Sequence, residues 1–242
     1  MKSVEEQVEF LKQRFSRILL GKAEYTAPGP TVKGCNKEAS ILILLKWKDN
    51  DWHVFLTLRS EQMRSHAGEV CFAGGQREDR DKTYVETALR EAHEEAGVPS
   101  ENLQVVGALC HFITRFGIQV HPVVAVLKEE FTPVLNEEVS RCFWMPFSTF
   151  LSSEHHTSLH FPEVNLRSHK ISYKDEYVFG FTSYVAIVAA VTIYDRYPEF
   201  EVFSMDTTKA PADSVADQFV EYNTLPRLMK LSEYNNVTKS KI

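Results

Sequence analysis

Three glutamates share one face of a short predicted helix in the first half of the chain. They are Glu91, Glu94 and Glu95, within the segment ETALREAHEEAGV that runs from Glu86 to Val98. At 3.6 residues per turn their side chains lie within roughly 100° of arc. Carboxylates crowded in this way repel one another, but a divalent cation between them makes the arrangement favourable, and Mg²⁺ and Mn²⁺ prefer oxygen ligands. The spacing therefore predicts a site for Mg²⁺ or Mn²⁺ on these glutamates.

Neighbouring residues support this interpretation without deciding it. Arg90 lies four residues before Glu94, where an ion pair can fix the rotamer of the glutamate. Gly74 and Gly75 precede the helix and allow the backbone to approach a bound phosphate, because no Cβ stands in the way. The alternative is an acidic helix face that is simply exposed to solvent, which is the commonest role of such strings.

Two arginines lie upstream of the glycines. Arg59 ends a predicted strand and Arg64 follows it in a loop, so both can point at one anionic ligand. The planar guanidinium group suits phosphate, because paired hydrogen bonds give geometry as well as charge. We therefore predict that this pair binds a phosphate-bearing substrate, the alternative being two arginines exposed in a loop.

The elements that must position these residues indicate an α/β or α+β layered domain, with helices and mixed strands around one sheet system. The helix of the glutamates is predicted over Thr83 to Ala96, ended by Gly97 and followed by Pro99. Further helices are predicted over residues 1–20 and 182–195 and from about 211. Strands are predicted over 41–47 and 52–59, joined as a hairpin by the turn residues Lys48, Asp49, Asn50 and Asp51, and over 70–73, 105–113, 119–127, 141–145 and 200–203. We expect a single domain over residues 37–230, with an N-terminal helix and loop (1–36) packing on it and a C-terminal tail (231–242).

Composition argues against two classes of partner. The chain of 242 residues has a formal net charge of −6, so a phosphate backbone in general is not attracted and no nucleic-acid partner is expected. The apolar segment from Val178 to Tyr194 is about as long as the shortest membrane spans. It contains Gly180 and several hydroxyl residues, so a buried helix that begins with Thr182 as N-cap is the better interpretation. No membrane span is predicted.

The cysteines and a group of histidines do not form a recognisable metal motif. The four cysteines have no CxxC pair and are expected to stay reduced: Cys35, Cys71, Cys110 and Cys142. Four histidines in the polar region 151–176 lack the regular spacing of zinc ligands, and a mobile polar loop is the favoured interpretation: His155, His156, His160 and His169.

The stretch GGQREDRDKTYVETALREAHEEAGV resembles the Nudix box. Its R-E-x-x-E-E-x-G part and the following hydrophobic residue match at Arg90, Glu91, Glu94, Glu95, Gly97 and Val98. The box is one residue longer than usual between Gly75 and Arg90. Lys82 stands where the first glutamate of the box is normally found, with Asp79 and Asp81 nearby, so the first acidic position stays open.

The preceding stretch LTLRSEQMRSHAGEVCFAGG resembles the signature of the coenzyme A diphosphatase branch of the Nudix hydrolases. The matches are Leu56, Thr57, Arg59, Ser60, Arg64, Gly68, Phe72, Gly74 and Gly75. Ala73 replaces the proline of the family, a change that should loosen the turn more than it alters the chemistry. The same branch tolerates a one-residue expansion of its box, so that departure also agrees with the resemblance.

The resemblance implies a fold and a reaction. The fold would be an αβα sandwich around a mixed sheet. The reaction would be metal-dependent hydrolysis of the diphosphate in coenzyme A or its derivatives, giving 3′,5′-ADP and 4′-phosphopantetheine. Two other possibilities stay open: the same chemistry on another nucleoside diphosphate derivative, and a catalytically silent Nudix module that binds a ligand or a partner.

The resemblance also implies roles for individual residues. Glu95 would be the central metal ligand, with Glu91 and Glu94 contributing directly or through water. Arg59 and Arg64 would hold the diphosphate or the 3′-phosphate. Family members differ in the general base: a box glutamate is one choice, and here Glu138 in a later loop is the other. A solvent-exposed turn glutamate is the alternative interpretation of Glu138.

The last three residues, Ser240, Lys241 and Ile242, are a conservative variant of the S-K-L peroxisomal address. If they form the native C-terminus, the peroxisomal import receptor is an expected partner and the peroxisome the expected location, with the cytoplasm as the alternative.

Overall fold

The computed structural model describes residues 4–17, 35, 37–63, 65–114, 116–161 and 166–202. Arg64, the predicted helical region after 211, and Ser240, Lys241 and Ile242 lie outside these residues. The helices are α1 (Val4–Arg17), α2 (Tyr84–Ala96) and α3 (Gly180–Tyr194), with 3₁₀ turns at Ser100–Asn102 and Phe147–Leu151. The strands are β1 (Lys37–Lys48), β2 (Asp51–Arg59), β3 (Val70–Cys71), β4 (Ala73–Gln76), β5 (Leu103–Ala108), β6 (Phe112–Ile113), β7 (Ile118–Leu127), β8 (Val139–Pro146), β9 (His156–Phe161), β10 (Leu166–Tyr173) and β11 (Glu176–Phe179).

The predicted hairpin forms between β1 and β2. Its two turn residues, Asp49 and Asn50, both have positive φ, 53° and 61°. Asn and Asp tolerate this region better than other side chains, and a two-residue turn with φ positive at both positions matches the twist of the flanking strands. The register that results places Lys48 opposite Asp51.

The main sheet is mixed, as the resemblance implied. Its central pair, β1 and β7, runs parallel from Lys37 beside Ile118 to Leu45 beside Val126, whereas the other pairs are antiparallel. The principal strand order is β3-β2-β1-β7-β5, with β4 on β1, β6 on β7 and β8 on β2. The end of strand β1 pairs with β2, and the beginning of β1 pairs with β4. The second pairing places Gly74 and Gly75 beside the beginning of β1.

Alternate side chains of β1 enter two separate cores, so helices cover both faces of the sheet. Leu42 and Leu44 pack with the alanine face of α2, whereas Ile43 and Leu45 pack with α1 and α3. The alanines of α2 that face the sheet have no exposed surface: Ala88, Ala92 and Ala96. The buried face of α1 consists of Val8, Leu11 and Phe15. The αβα sandwich with a mixed sheet is thereby confirmed.

Helix α3 forms the apolar centre of one core, buried from Ser183 to Ile193. It begins at Gly180 after Phe179, and no side chain caps it, so the expected N-cap at Thr182 was wrong. The backbone leaves β11 directly into the helix, and Ser183 Oγ donates instead to the carbonyl oxygen of Gly180, at 3.0 Å. Within the described chain no helix combines the length and the apolarity that a membrane crossing needs.

Two other expectations are corrected by the structure. The single strand expected over 105–113 is two strands, because regular pairing with β7 stops after Ala108, opposite Val123, and resumes at Phe112, opposite Val120. The histidine-rich region, expected to be a loop or excursion bearing short strands, is largely the small sheet β11-β10-β9, so the mobile loop favoured for its histidines was wrong. His156 Nε2 lies 2.9 Å from His169 Nδ1 in that sheet.

Candidate active site

Local signals set both ends of α2. Thr83 Oγ1 accepts a hydrogen bond from the Glu86 N–H at 3.1 Å, and Glu86 Oε2 accepts one from the Lys82 N–H at 2.6 Å. These reciprocal bonds satisfy backbone donors in the first turn and around the cap. At the other end Gly97 adopts φ 64°, and its N–H donates to His93 O at 2.8 Å. The predicted helix is confirmed, with Thr83 as its cap.

The two glycines of β4 make room for two glutamates of α2. The N–H of Gly74 donates to Glu95 Oε2 at 3.1 Å. A Cβ on Gly75 would lie 2.5 Å from Glu91 Cδ, so the carboxylate occupies the space that a side chain would fill. The glycines therefore bind and make room for the protein's own carboxylates, and this role explains them without a bound phosphate.

Glu95 is the buried member of the acidic row, and Glu91 is partly buried. The Glu95 side chain is 5% exposed. Burial raises the pKa of Glu95 to about 7, and the negative charges of Glu91 and Glu138 add to the rise. Burial also raises the pKa of Glu91, against the opposing effect of Arg90. A raised pKa means that the ionised carboxylate is disfavoured, so a cation bound beside these two neighbouring carboxylates would stabilise their ionised form.

Arg90 holds the centre of the row. Its Nη1 donates to Glu91 Oε1 at 2.9 Å and to Glu94 Oε2 at 3.0 Å, so the ion pair predicted with Glu94 is present. Its Nε and Nη2 bind the two oxygens of Asp81 at 2.9 Å and 2.8 Å, and Nη2 also donates to Gln76 O at 3.1 Å. Every guanidinium nitrogen is thus engaged, and these bonds raise the pKa of Arg90 further.

Asp81 supplies an acidic partner that sequence reasoning left unassigned. It is 4% exposed, and its Oδ2 also accepts from the Glu78 N–H at 2.9 Å and from Thr87 Oγ1 at 3.1 Å. The hydrogen bond from Arg90 lowers the pKa of Asp81 to about 2. The carboxylate points at Arg90, so Asp81 positions that arginine. A signal for this existed in the acidic residue beside Lys82.

Glu94 differs from its two neighbours on the row. Its side chain is 44% exposed, and Arg80 Nη2 donates to its Oε1 at 3.0 Å while Arg90 holds the other oxygen. Both oxygens of Glu94 are therefore engaged at the surface, whereas Glu91 and Glu95 face the glycine loop.

Arg59 and Glu138 approach the row from the other side. Arg59 Nη1 lies 3.7 Å from Glu95 Oε1, and Nη2 donates to Glu138 Oε2 at 3.3 Å. Glu138 precedes β8 and is fixed by its backbone, because its N–H donates to Asn136 Oδ1 at 3.0 Å. The N–H of Asn136 in turn donates to Glu95 O at 3.2 Å. The structure thus brings Glu138 to the predicted glutamates and identifies Asn136, which sequence reasoning missed, as its link to α2.

The donor set suits a hard divalent cation. Glu91, Glu94 and Glu95 offer only oxygen atoms, the ligands that Mg²⁺ and Mn²⁺ prefer. Arginines stand between these carboxylates, and in the described part of the chain no three His, Cys, Asp or Glu side chains converge closely enough to hold an ion. Binding of a cation here therefore requires side chains to rearrange.

Comparison with known proteins adds independent findings. The family model of the NUDIX domain matches residues 36–162. The chain is 38% identical over 194 residues to the peroxisomal coenzyme A diphosphatase ndx-8 of Caenorhabditis elegans, covering 78% of this chain and 82% of that protein. It is 31% identical to the peroxisomal coenzyme A diphosphatase NUDT7 of Mus musculus, over 67% of this chain and 73% of that protein. Nudix hydrolase 22, chloroplastic, of Arabidopsis thaliana is 36% identical over 68% of this chain and 58% of its own length.

Proposed function

We propose that the chain, which belongs to the Nudix hydrolase family, hydrolyses the diphosphate linkage of coenzyme A and its derivatives. The products would be 3′,5′-ADP and 4′-phosphopantetheine, or acyl-phosphopantetheine from an acyl derivative. The observation that carries the proposal is Glu95. Its buried carboxylate accepts a hydrogen bond from the Gly74 N–H and lies 3.7 Å from the guanidinium group of Arg59. Oxygen ligands for a cation and a positive group for a phosphate therefore lie side by side.

The chain's own carboxylates would hold Mg²⁺ or Mn²⁺. Glu95 is proposed as the central ligand, with Glu91 and Glu94 contributing directly or through water. When bound, the metal would neutralise the diphosphate, position a water and stabilise the leaving oxygen. Arg90 would keep Glu91 and Glu94 in place through the hydrogen bonds described above.

Glu138 is proposed as the general base. Its side chain is 49% exposed, so a water molecule has access to it, and Arg59 contacts one of its oxygens. A base has to stand within hydrogen-bond reach of the water that it activates, and the shared contact with Arg59 keeps Glu138 near Glu95. A box glutamate remains the alternative.

Substrate selection would rest on the arginine segment and the glycines. Arg59 already lies at the carboxylates, and with Arg64 it would bind the diphosphate or the 3′-phosphate, while Gly74 and Gly75 allow close approach of the backbone. Two of the relatives are named as coenzyme A diphosphatases, which supports this choice of substrate.

The peroxisome is the proposed location, with the import receptor binding Ser240, Lys241 and Ile242. Two relatives are named as peroxisomal, which supports the proposal, whereas another is named as chloroplastic. The cytoplasm is the alternative. Fluorescence microscopy of the chain with a free C-terminus, with and without Ile242, tests the address.

Product analysis tests the reaction and the substrate together. The full chain is incubated with Mg²⁺ and coenzyme A, and separately with NADH and ADP-ribose, and products are identified by mass spectrometry. We expect 3′,5′-ADP from coenzyme A and much slower turnover of the other two. Faster turnover of NADH or ADP-ribose would assign another substrate class, and no hydrolysis of any of the three would favour a silent binding module.

Glu95→Gln tests the metal centre in the same assay. The variant keeps an acceptor for the Gly74 N–H but loses the charge, so we expect a loss of several kcal/mol of transition-state stabilisation, about a thousand-fold in rate. Glu101→Gln, at an exposed glutamate in a 3₁₀ turn, is the matched control. Retained Mg²⁺-dependent hydrolysis in Glu95→Gln contradicts the assignment of Glu95.

A further inference from the structure

Arg59 supplies positive charge at the point where two acidic elements meet. Glu95 comes from α2 and Glu138 from the residue before β8, and the guanidinium group of Arg59 contacts both. The Arg59 side chain is 18% exposed and that of Glu95 only 5%, so solvent screens this contact less than an exposed ion pair. The guanidinium group occupies the position of a counterion between the two carboxylates.

The contacts of this guanidinium group are long. The 3.7 Å separation from Glu95 exceeds hydrogen-bond length, and the 3.3 Å bond to Glu138 is longer than the 2.7–2.9 Å of a good charge-assisted bond. The backbone of Arg59 is firmly placed, because its N–H donates to Glu69 O at 3.0 Å and its carbonyl accepts from the Gly68 N–H at 3.2 Å. The side chain can therefore leave the carboxylates while the strand stays in place.

We infer that Arg59 competes with the divalent cation for Glu95, and that it moves to the phosphate groups when these arrive. A guanidinium group less than 4 Å from Glu95 repels a second cation at the same carboxylate. Phosphate offers Arg59 the paired, short hydrogen bonds that it lacks here. A bound anion that draws Arg59 away from Glu95 would thus increase the affinity for the cation. By linkage, a bound cation would increase the affinity for the anion by the same factor. The second half of this inference rests on the proposed function; the competition for Glu95 does not.

The competition predicts that removal of Arg59 strengthens metal binding in the absence of any nucleotide. The experiment titrates the full chain with Mn²⁺ and follows free Mn²⁺ by electron paramagnetic resonance. For Arg59→Ala and Arg59→Gln we expect the Kd for Mn²⁺ to fall about five- to ten-fold, within the usual range of coupling between two sites. Arg59→Lys keeps the charge and should bind Mn²⁺ nearly as the unmodified chain does.

Arg141→Ala is the matched control for net charge. Arg141 lies in β8, three residues after Glu138, and pairs with Glu176 of β11. We expect its Kd for Mn²⁺ to stay within two-fold of the unmodified chain. Equal tightening in Arg141→Ala and Arg59→Ala would mean a long-range charge effect and would overturn the inference.

An unchanged or weaker Mn²⁺ affinity in Arg59→Gln, with the thermal unfolding midpoint of the unmodified chain, would also overturn it. Because the titration contains no coenzyme A, its outcome is independent of substrate identity. Failure to hydrolyse coenzyme A would contradict the proposed function and leave the competition for Glu95 standing.

Discussion

Two arginines contact the acidic row from opposite sides, and the chain holds them in different ways. The Arg90 cluster (Asp81, Arg90, Glu91 and Glu94) is tied by hydrogen bonds of 2.8–3.0 Å. The Arg59 cluster (Arg59, Glu95 and Glu138) has one hydrogen bond of 3.3 Å and one ion contact of 3.7 Å. Strong, charge-assisted bonds fix a geometry, whereas long contacts between the same chemical groups leave it free to change.

The difference separates two tasks within one site. A fixed arginine keeps carboxylates in position as the charge around them changes, which is the supporting role that neighbouring residues play at metal sites. A weakly held arginine can exchange one anionic partner for another. In this molecule the first task falls to the box helix and the second to the end of β2.

Loss of Arg90 should have the largest effect on stability. Arg90→Ala leaves Asp81, which is 4% exposed, as a buried charge without its principal partner, so we expect a loss of about 3–5 kcal/mol in the free energy of unfolding. Arg59→Ala should lower it by about 1 kcal/mol or less, because Glu138 is half exposed and the contact with Glu95 is longer than a hydrogen bond. Burial also raises the pKa of Glu95 to about 7, so this carboxylate can take up a proton when Arg59 is lost. Urea unfolding of both variants measures the difference. Equal losses would abolish the distinction between the two clusters.

Acid should weaken the Arg90 cluster through Asp81. The pKa of Asp81 in the fold is about 2, below the ordinary value of 3.8. The ionised carboxylate therefore stabilises the fold above pH 3.8, and this contribution, about 2 kcal/mol, disappears as the pH falls through 2. Urea unfolding at several pH values should show the unmodified chain more stable than Asp81→Asn above pH 4 and converging with it towards pH 2.

Asp79→Asn, at an exposed neighbour, is the control for the acid experiment. Its difference from the unmodified chain should stay small at every pH. A difference for Asp81→Asn that does not change between pH 7 and pH 3 would contradict the assignment of Asp81 as the ionised partner of Arg90.

Gly75→Ala should test how precisely Glu91 has to be placed. The added Cβ would lie 2.5 Å from Glu91 Cδ, so the carboxylate must shift although Arg90 still holds it. A displacement of about 1 Å at a reacting site can lower the rate about a hundred-fold, and we expect a 10- to 100-fold loss of hydrolysis. Stability should change by about 1 kcal/mol or less.

Gly74→Ala provides the contrast, because its Cβ would lie 2.3 Å from the carbonyl oxygen of Ser40 in β1. Backbone cannot yield as a side chain can, so this variant should lose stability as well as activity. If Gly75→Ala retains full activity, the precise placement of Glu91 by the Arg90 cluster is not needed for the reaction.

Much of this architecture could be predicted because its signals are local. The hairpin was visible in Asp49 and Asn50, and the end of α2 in Gly97, since the conformations these residues adopt are rare for other side chains. The acidic row followed from the period of the helix. The motif residues then pointed to the family whose model matches the chain.

The remaining features depend on contacts that no local pattern reports. Asn136 reaches Glu95 across 41 positions, and Glu138 reaches Arg59 across 79. Asp81 meets Arg90 only because residues 77–82 fold back, which the unusual spacing around Lys82 concealed. Helix α3 begins at Gly180 because β11 leads straight into it, and tertiary connection there overrides the capping preference that favoured Thr182.

Arg80→Ala should have the smallest effect. Arg80 Nη2 lies 3.0 Å from Glu94 Oε1, the same distance at which Arg90 binds the other oxygen of Glu94. The Arg80 side chain is 61% exposed and that of Arg90 only 13%. Water and salt screen the first pair, so its loss should lower the free energy of unfolding by about 0.5 kcal/mol or less.

Unfolding of Arg80→Ala and Arg90→Ala in low salt and in 1 M NaCl distinguishes the exposed contacts of Arg80 from the buried contacts of Arg90. The small effect of Arg80→Ala should vanish in high salt, whereas most of the loss in Arg90→Ala should persist, because a buried unpaired carboxylate is poorly screened. The exposed contacts of Arg80 with Glu78 and Glu94 would then contribute little, whereas most of the effect of Arg90 would come from the buried Asp81. A salt-resistant loss in Arg80→Ala would instead make the exposed edge of Glu94 part of the fixed cluster.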